Sequence, residues 1–337
     1  MGLFSNETDA RRGRIMEEYF EKLFYWEEFL ENCTDKKICY IGNKSSEPRA
    51  DNDEKIAELS RVCSCTQILL EYDYDKDSFF YNGKQYSLKS QSRDILNELD
   101  KDVPLMLNIT SLNLRLLGTL LFHIKKLKFK KVYCIYTEPL RYCKTTTSNK
   151  EKYGEEYEEK YVDRFDLYKK FRGIEAIPGF LRENDENLNE RWIAFLGFEG
   201  KRLEQIQEKY EFDNIVPVIT LPSYQPGWHN YVFDENLDLI KKADRKPEYI
   251  IANSFMSAYN YLQKVVHATP DLYIRVSPLG TKINALGALL FSLNNTKSVE
   301  ILYDNPIEEG SISKDCGKTY VFDISEVINQ YAKGSVK

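Results

Sequence analysis

Short apolar runs alternate along the chain with longer stretches in which apolar residues recur every three or four positions. The apolar runs predict strands at 37–42, 67–72, 105–110, 132–136, 191–197, 215–221, 272–277, 299–303 and 319–322. The stretches between them predict helices at 51–62, 90–99, 203–210, 233–242, 255–267 and 281–293, with one more ending near Lys126 and another starting at Ser325. Strands that alternate with helices predict mostly parallel sheets covered by helices.

Three segments depart from this alternation. An Asn82-Gly83 pair between aromatic runs predicts a β-hairpin over 78–88. Residues 140–165 are charged and lack periodicity, which predicts an exposed connector or mobile loop, with a lid over a ligand as the alternative. The start of the chain predicts a helix over 9–32 with an aromatic stripe, which either packs on the core or binds a protein partner.

Two sequence patterns recur between the halves of the chain. Leu-Gly-Thr-Leu-Leu-Phe at 117–122 returns as Leu-Gly-Ala-Leu-Leu-Phe at 286–291, and five of the six positions are identical. A strand that ends in Tyr-Thr-Glu-Pro at 136–139 has a counterpart that ends in Tyr-Asp-Asn-Pro at 303–306. The offsets are 169 and 167 residues, so the two matches predict an internal duplication. We interpret both patterns as scaffold, in which the glycines allow close helix packing.

This pattern divides the chain into five parts. They are an N-terminal helix (1–36), a first α/β half (37–140), a charged connector (141–190), a second α/β half (191–310) and a C-terminal strand and helix (311–337). In parallel sheets, ligands bind beyond the carboxyl ends of the strands. The loops that follow the predicted strands are therefore where we expect functional residues.

Composition narrows the class of protein. With 337 residues, of which 42% are hydrophobic, the chain can form a packed core, which excludes global disorder. A formal charge of −6 disfavours an extended nucleic-acid surface. The seven cysteines lack zinc-like spacing, so we expect reduced thiols and no metal. No apolar run is long enough for a signal core or a bilayer span, which predicts a cytoplasmic protein without membrane contact.

The strongest candidate for chemistry is the loop from Ser277 to Lys282, between a strand and a helix. Its glycine, hydroxyl and lysine at a helix start form a predicted anion site, although the P-loop spacing is absent. The matching loop of the first half offers amides and hydroxyls. From these two loops we predict ligand contacts by Asn108, Thr110, Ser111, Asn113, Gly280, Thr281 and Lys282. Ordinary helix capping is the structural alternative.

Two further loops carry candidate residues. The loop over 196–202 places Gly197, Glu199 and Arg202 between a strand and a helix, where a phosphate or hydroxyl could be held. The loop over 221–229 is rigid and aromatic, and its Tyr224 or Trp228 could stack a base. Solvated charges and packing on the sheet are the respective structural alternatives.

Known catalytic patterns are missing from the sequence. The chain has three histidines, His123, His229 and His267, and lacks the GxSxG, HExxH and GxGxxG motifs. Carboxylates are abundant, but their spacing does not single out an acid–base pair. The sequence therefore indicates no cofactor, and leaves open whether the protein is an enzyme.

A Gly-Thr-Lys turn between a core strand and a helix of small residues resembles the signature of CARF (CRISPR-associated Rossmann-fold) sensor domains. Gly280-Thr281-Lys282 matches the turn, and residues 108–110 resemble its lead-in in the other half. That family binds cyclic oligoadenylates across a two-fold axis between two domains, and SAVED domains are similar fused pairs. The resemblance implies two Rossmann-like three-layer α/β halves related by internal duplication. The first half lacks the Gly-Thr-Lys turn itself, and no effector domain is recognisable after residue 310.

Three hypotheses follow from these observations. The first is a protein that binds a nucleotide or another small anionic ligand, acting in bacterial antiviral defence. The second is an enzyme acting on a nucleotide-like substrate, with the loops at 42–49, 197–202 and 222–229 closing the site. The third is a non-catalytic subunit of a larger complex, docked through the N-terminal helix. A homodimer is compatible with all three.

Overall fold

A computed structural model describes residues 20–153, 156–165, 167–181, 189–210, 215–243, 245–308 and 310–330, with the backbone alone over 145–153 and 156–164. Its strands are β1 (Lys22–Tyr25), β2 (Lys37–Asn43), β3 (Ser64–Asp73), β4 (Ser78–Tyr81), β5 (Lys84–Ser87), β6 (Leu105–Asn108), β7 (Val132–Tyr142), β8 (Thr145–Tyr153), β9 (Glu156–Arg164), β10 (Lys170–Phe171), β11 (Glu175–Ala176), β12 (Glu190–Phe195), β13 (Ile215–Thr220), β14 (Glu248–Ile250), β15 (Tyr273–Pro278), β16 (Val299–Tyr303), β17 (Pro306–Ile307) and β18 (Ser313–Asp323). Its helices are α1 (Trp26–Glu31), α2 (Asn52–Leu59), α3 (Leu88–Asn97), α4 (Leu114–Leu127), α5 (Gly200–Tyr210), α6 (Trp228–Glu235), α7 (Leu237–Lys242), α8 (Phe255–Ala268), α9 (Lys282–Asn294) and α10 (Ser325–Ile328).

Two large sheets form the framework. The first has the order β1-β18-β7-β6-β2-β3-β4-β5, and the second has the order β11-β16-β15-β12-β13-β14. The four central strands of the first sheet are parallel, as are the strands from β16 to β14 in the second. The predicted fold class, an α/β protein with mostly parallel sheets covered by helices, is therefore confirmed.

The two sheets share a strand order at their centres. The central order is β7-β6-β2-β3 in the first sheet and β16-β15-β12-β13 in the second. In each sheet the last two of these strands along the chain are joined by one helix, α4 between β6 and β7 and α9 between β15 and β16. The Leu-Gly-x-Leu-Leu-Phe pattern lies in α4 and in α9, the two helices in corresponding positions. The shared order is consistent with the predicted duplication, which itself stays a prediction.

Helix α9 lies at the centre of the molecule. All its residues from Ile283 to Asn294 are buried, and α4, α8 and α10 pack around it. One hydrophobic cluster includes residues from both sheets, such as Leu107 and Val276. The two halves therefore share a core and meet along helices rather than through a linker.

The repeated glycines lie at these helix contacts, as predicted. A Cβ atom on Gly287 would lie 2.1 Å from the carbonyl oxygen of Phe255, at the start of α8. A Cβ atom on Gly118 would lie 2.8 Å from a side-chain carbon of Ile177 and 3.2 Å from one of Leu289 on α9. Each glycine thus permits a helix approach that a larger residue would oppose.

The predicted hairpin is confirmed. Strands β4 and β5 pair antiparallel around Asn82 and Gly83, which have φ of 48° and 74°. Positive φ at both central residues is the requirement of the type I′ turn that Asn-Gly favours.

Several expectations differ from the structure. Residues 140–165 do not form an irregular connector, because β7 continues to Tyr142 and β8 pairs antiparallel with β9 as a two-stranded ribbon. Strand β14 was not predicted. The helix predicted over 233–242 is divided at Asn236 into α6 and α7. Strand β18 is longer than the predicted 319–322 and returns to the first sheet, between β7 and β1.

The N-terminal helix prediction is wrong over Lys22–Tyr25 and confirmed over Trp26–Glu31. Residues 22–25 form β1, which pairs with β18, and only 26–31 are helical. Trp26 and Phe29 are buried and stack on each other, and Phe29 contacts the ring of Tyr133, so this part of the aromatic stripe packs on the core. Residues 9–19 of the predicted helix lie outside the described residues.

Candidate functional site

A cleft between the two halves contains a cavity of about 90 Å³, which we call the inner cavity. This is several times the roughly 10–15 Å³ that one bound water needs. Its wall comes mainly from loops at the carboxyl ends of β12, β13, β15 and β16, with Arg49, Leu114, Tyr136 and Tyr142 added by the first half. The cavity therefore occupies the position where parallel sheets bind ligands.

Seven of the predicted ligand-binding residues line the inner cavity. They are Gly197, Glu199, Arg202, Tyr224, Gly280, Thr281 and Lys282. Loops distant in sequence meet here because the parallel strands end at the same edge of the second sheet. Their contact with a ligand stays a prediction.

Two glycines let these loops touch. A Cβ atom on Gly197 would lie 2.3 Å from the carbonyl oxygen of Leu279, and one on Gly280 would lie 3.0 Å from that of Leu196. The β12–α5 loop and the β15–α9 loop therefore support each other through their backbones.

Lys282 joins the two halves. It is the first residue of α9, whose N-cap Thr281 accepts a hydrogen bond from the Asn284 amide. Its ammonium donates to the carbonyl oxygens of Thr110 (2.7 Å) and Leu112 (3.0 Å) in the first half. Burial lowers the pKa of Lys282. The two loops predicted to form complementary half-sites thus meet, and this lysine is the contact between them.

Arg202 and Glu199 form a buried network on α5 and the loop before it. The Arg202 guanidinium donates two hydrogen bonds of 2.7 Å to Asp304, and its Nη1 lies 3.6 Å from Glu199 Oε2. Oε1 of Glu199 accepts from the backbone amides of Leu167 and Tyr168, both at 2.9 Å. Burial raises the pKa of Glu199. The glutamate therefore fastens the segment after the ribbon over the cavity.

Arg49 has a comparable setting in the first half. Its Nε lies 3.2 Å from Glu47, and its Nη1 donates to the Tyr136 hydroxyl (3.2 Å) and the Thr137 carbonyl (2.9 Å). The guanidinium also lies over the ring of Tyr142, 6.0 Å from its centroid. Both buried arginines of the cavity wall thus have carboxylate partners within the protein.

Aromatic rings form much of the wall. The inner cavity is lined by the rings of Tyr136, Tyr142, Tyr168, Phe198, Tyr224, Trp228 and Tyr303. Tyr142, Phe198 and Trp228 contact one another, with centroids 5.1–5.6 Å apart. Such a wall can hold a planar, largely uncharged group by stacking and desolvation.

Tyr224 separates the inner cavity from a wider outer groove. The groove measures about 790 Å³ and shares Ser223, Tyr224 and Ala252 with the inner cavity. The Tyr224 ring stacks on that of Tyr136 at 6.0 Å. Its buried hydroxyl lies beside the side chains of Thr281 and Tyr136, without a well-formed hydrogen bond to either. Thr281 and Tyr136 lie near enough to influence its pKa, which burial raises.

The candidates from the first half have internal roles. Asn108, Thr110 and Ser111 are buried outside the inner cavity. Asn108 donates to the Tyr40 hydroxyl (2.8 Å), Thr110 accepts from the Thr137 amide (2.9 Å) and Ser111 accepts from the Asn43 amide (3.0 Å).

The fourth candidate of that loop, Asn113, caps α4 through the Leu116 amide and lines a second cavity of about 20 Å³. The loop predicted as one half of the binding surface therefore consists of residues that join strand ends and cap a helix.

Several lining residues were missed, and two of them had a signal in the sequence. Tyr136 and Tyr303 are the strand-end tyrosines of the repeated Tyr-x-x-Pro pattern, which we interpreted as scaffold, yet both line the inner cavity. They meet there because both strands end at the cleft. Tyr168 carried no such signal, since its segment comes close to the cleft only in the folded chain.

Other features of the described residues bear on chemistry. All seven cysteines are free thiols, as predicted. Within the described ranges, no group of histidine, cysteine and acidic side chains is placed to hold a metal ion. None of the helices described is long and apolar enough to cross a membrane.

Comparisons with known proteins add little to this picture. No family model matches the chain, and no curated protein matches it. Among solved structures it is similar to a ketoreductase domain from the bacillaene assembly line, at 10% sequence identity and a TM-score of 0.18. That match covers 82% of this chain and 66% of the other. A similarity of this size carries no argument about ligand or chemistry.

Proposed function

We propose that the protein binds a nucleotide-type ligand in the inner cavity and acts as a CARF-like sensor in bacterial antiviral defence. The observation that supports binding is the meeting of seven predicted residues and a ring of aromatic side chains at the carboxyl ends of the second sheet. Concave, mostly apolar sites with a few polar groups are typical of small-ligand pockets.

The sensor role rests on the resemblance of the Gly280-Thr281-Lys282 turn to CARF domains. Lys282 makes hydrogen bonds across the two halves, so a ligand near this turn would alter a contact between them. A shift of this contact is a means by which binding could be transmitted. The duplication and a cytoplasmic location belong to the same proposal.

Isothermal titration of the whole protein against nucleosides, nucleotides and cyclic oligonucleotides tests binding. We expect at least one of these ligands to bind, and Lys282→Met to weaken it about tenfold or more. The variant removes the ammonium that holds the Thr110 and Leu112 carbonyls of the first half at the cavity, and hydrogen bonds of charged groups contribute about 1.5–3 kcal/mol. Lys314→Met on the exposed part of β18 is the control and keeps full affinity.

The Lys282 variant needs a second measurement, because this lysine also joins the halves. Its thermal unfolding is recorded beside the titration, so that lost affinity is read only from folded protein. A protein that binds none of the ligands in the panel would rule out the proposed function. Equal affinity in the Lys282 and Lys314 variants would remove the Gly-Thr-Lys turn from the site.

A second candidate, an enzyme acting on a nucleotide-like substrate, is favoured by Glu199. This buried carboxylate lines the inner cavity and has a raised pKa, a setting found in general acids and bases. Incubation with each bound ligand, followed by mass spectrometry, separates the two candidates. A new product that disappears in Glu199→Gln supports the enzyme, and an unchanged ligand supports the sensor.

A further inference from the structure

We infer that the inner cavity recognises the uncharged base and sugar of a nucleoside, and that phosphate groups add no affinity. This inference rests on the proposed function and narrows its ligand class. The first observation is that the charged side chains around the cleft already form ion pairs and hydrogen bonds with other groups of the protein.

The two arginines of the wall are committed to carboxylates. Arg202 makes a bidentate pair with Asp304, and Arg49 pairs with Glu47 while donating to the Thr137 carbonyl. Both side chains are buried. To bind a phosphate, either arginine would have to leave a buried carboxylate unpaired, which is strongly unfavourable.

Lys282 is the third cation of the wall. It donates to two carbonyl oxygens, and Glu308 Oε1 lies 4.0 Å from its ammonium. Glu199 adds a carboxyl group to the same wall. The inner cavity therefore contains no excess of positive charge, among the residues described, for the several negative charges of a polyphosphate.

The outer groove does not change this balance. Its ionisable lining consists of Glu27 and Glu138 against Lys318. Glu138 accepts from the Lys318 amide and from the Tyr320 hydroxyl, both at 3.3 Å, so it too is held by the protein. A polyphosphate extending from the inner cavity would meet more carboxylates than ammonium groups, and like charges repel.

The groups of the cavity wall that remain available to a ligand are aromatic rings and a neutral hydroxyl. Trp228, Phe198 and Tyr142 supply ring surface, and base–aromatic stacking is tolerant of the base. The buried Tyr224 hydroxyl lies beside Thr281 and Tyr136 without a well-formed hydrogen bond to either, so it can turn to donate to and accept from the polar edge of a base. A buried hydroxyl without a hydrogen bond is unfavourable in free energy, and a hydrogen bond to the edge of a base would remove that penalty.

Titration calorimetry on the whole protein tests the inference with four arms. These are free nucleosides, their monophosphates, their triphosphates, and inorganic phosphate with pyrophosphate. We expect a nucleoside to bind within about threefold of its monophosphate and tighter than its triphosphate, with little change up to about 0.5 M salt, because uncharged contacts are not screened. Phosphate and pyrophosphate should neither bind nor compete.

Tyr224→Phe and Tyr249→Phe form a matched pair of variants. Tyr224→Phe keeps the ring and removes the hydroxyl, so we expect nucleoside affinity to fall about fivefold to tenfold, the usual effect of one hydrogen bond. Tyr249 lies exposed on the edge strand β14, away from both spaces, and its variant should bind like the wild type. Equal affinity in the two variants would overturn the role given to Tyr224.

The outcomes separate the inference from the proposed function. Triphosphates that bind more than about tenfold tighter than nucleosides, with steep salt dependence, would overturn the inference and leave the proposed function standing. Competition by inorganic phosphate or pyrophosphate would do the same. If no ligand binds in any of the four arms, both the inference and the proposed function are overturned.

Discussion

Asp77 shows how single residues hold the first half together. It accepts two hydrogen bonds of 2.8 Å from Arg115, one of 2.7 Å from the Tyr72 hydroxyl, and lies 3.0 Å from Arg172. Arg115 follows the candidate loop of the first half and contributes to this network rather than to a ligand site. Burial alone would raise the pKa of Asp77, but its hydrogen bonds to Arg115 and Tyr72 outweigh burial and lower it.

Asp77→Asn should lower the free energy of unfolding by about 3 kcal/mol at neutral pH, because it leaves Arg115 buried with only Glu175 as a carboxylate partner. Asparagine tolerates the positive φ of 50° at this position, so backbone strain does not contribute. Urea unfolding measures the change, and Asp75→Asn on the exposed turn is the control. A variant as stable as the wild type would contradict this account.

The difference in unfolding free energy between the wild type and Asp77→Asn should depend on pH. A carboxyl whose pKa is lowered on folding stabilises the native state above its unfolded pKa of about 3.9, and this contribution is lost as the pH falls through the lowered value. The stability difference between wild type and Asp77→Asn should therefore narrow below about pH 4. A difference that stays constant there would contradict the ion-pair explanation.

Residue roles were harder to predict from sequence than residue positions. The Gly-Thr-Lys turn was identified as functional from its types and its place after a strand, and it does line the inner cavity. That Lys282 donates to the Thr110 and Leu112 carbonyls depends on contacts about 170 residues apart in the chain. Local sequence cannot reveal such a bond, because capping and ligand binding select the same residue types.

Among the secondary-structure elements, those with a regular hydrophobic pattern were predicted well from the sequence, and those without one were missed. The hydrophobic period located the parallel strands and their helices because each such element buries one face or stripe. Strand β14 was missed because only Ile250 of its three residues is buried, and the ribbon of β8 and β9 because it adds to neither large sheet. Elements with little burial leave little hydrophobic signal.

The repeated glycines allow a prediction about helix packing. Gly287→Ala should destabilise the protein by about 1–2 kcal/mol, because its Cβ would meet the Phe255 carbonyl oxygen at 2.1 Å and overpacking outweighs the better helix propensity of alanine. Gly118→Ala should cost less, within about 1 kcal/mol of wild type, because its Cβ would meet side-chain carbons of Ile177 and Leu289 at 2.8 and 3.2 Å rather than a backbone oxygen.

Urea unfolding of the two glycine variants, at the same pH and temperature, makes the comparison. The account requires Gly287→Ala to be the less stable of the two. The reverse order would mean that α8 and α9 adjust more easily than the fixed backbone contact implies.

At the scale of the whole molecule, the decisive feature is the meeting of two halves around α9. The sequence indicated two similar halves, but it could not place their faces against each other, since that depends on helices that are buried all round and carry no directional pattern. For the same reason the contribution of Tyr136 to a cavity built mainly from the second half was missed.

The central claim is that this cleft binds a nucleoside group by its base, and a crystal structure of the protein soaked with the nucleoside of highest affinity tests it most directly. The account predicts density for the base against the Trp228 and Phe198 rings of the inner cavity, with a hydrogen bond from its edge to the Tyr224 hydroxyl. Density for the nucleoside at another surface, with the inner cavity unchanged, would contradict it.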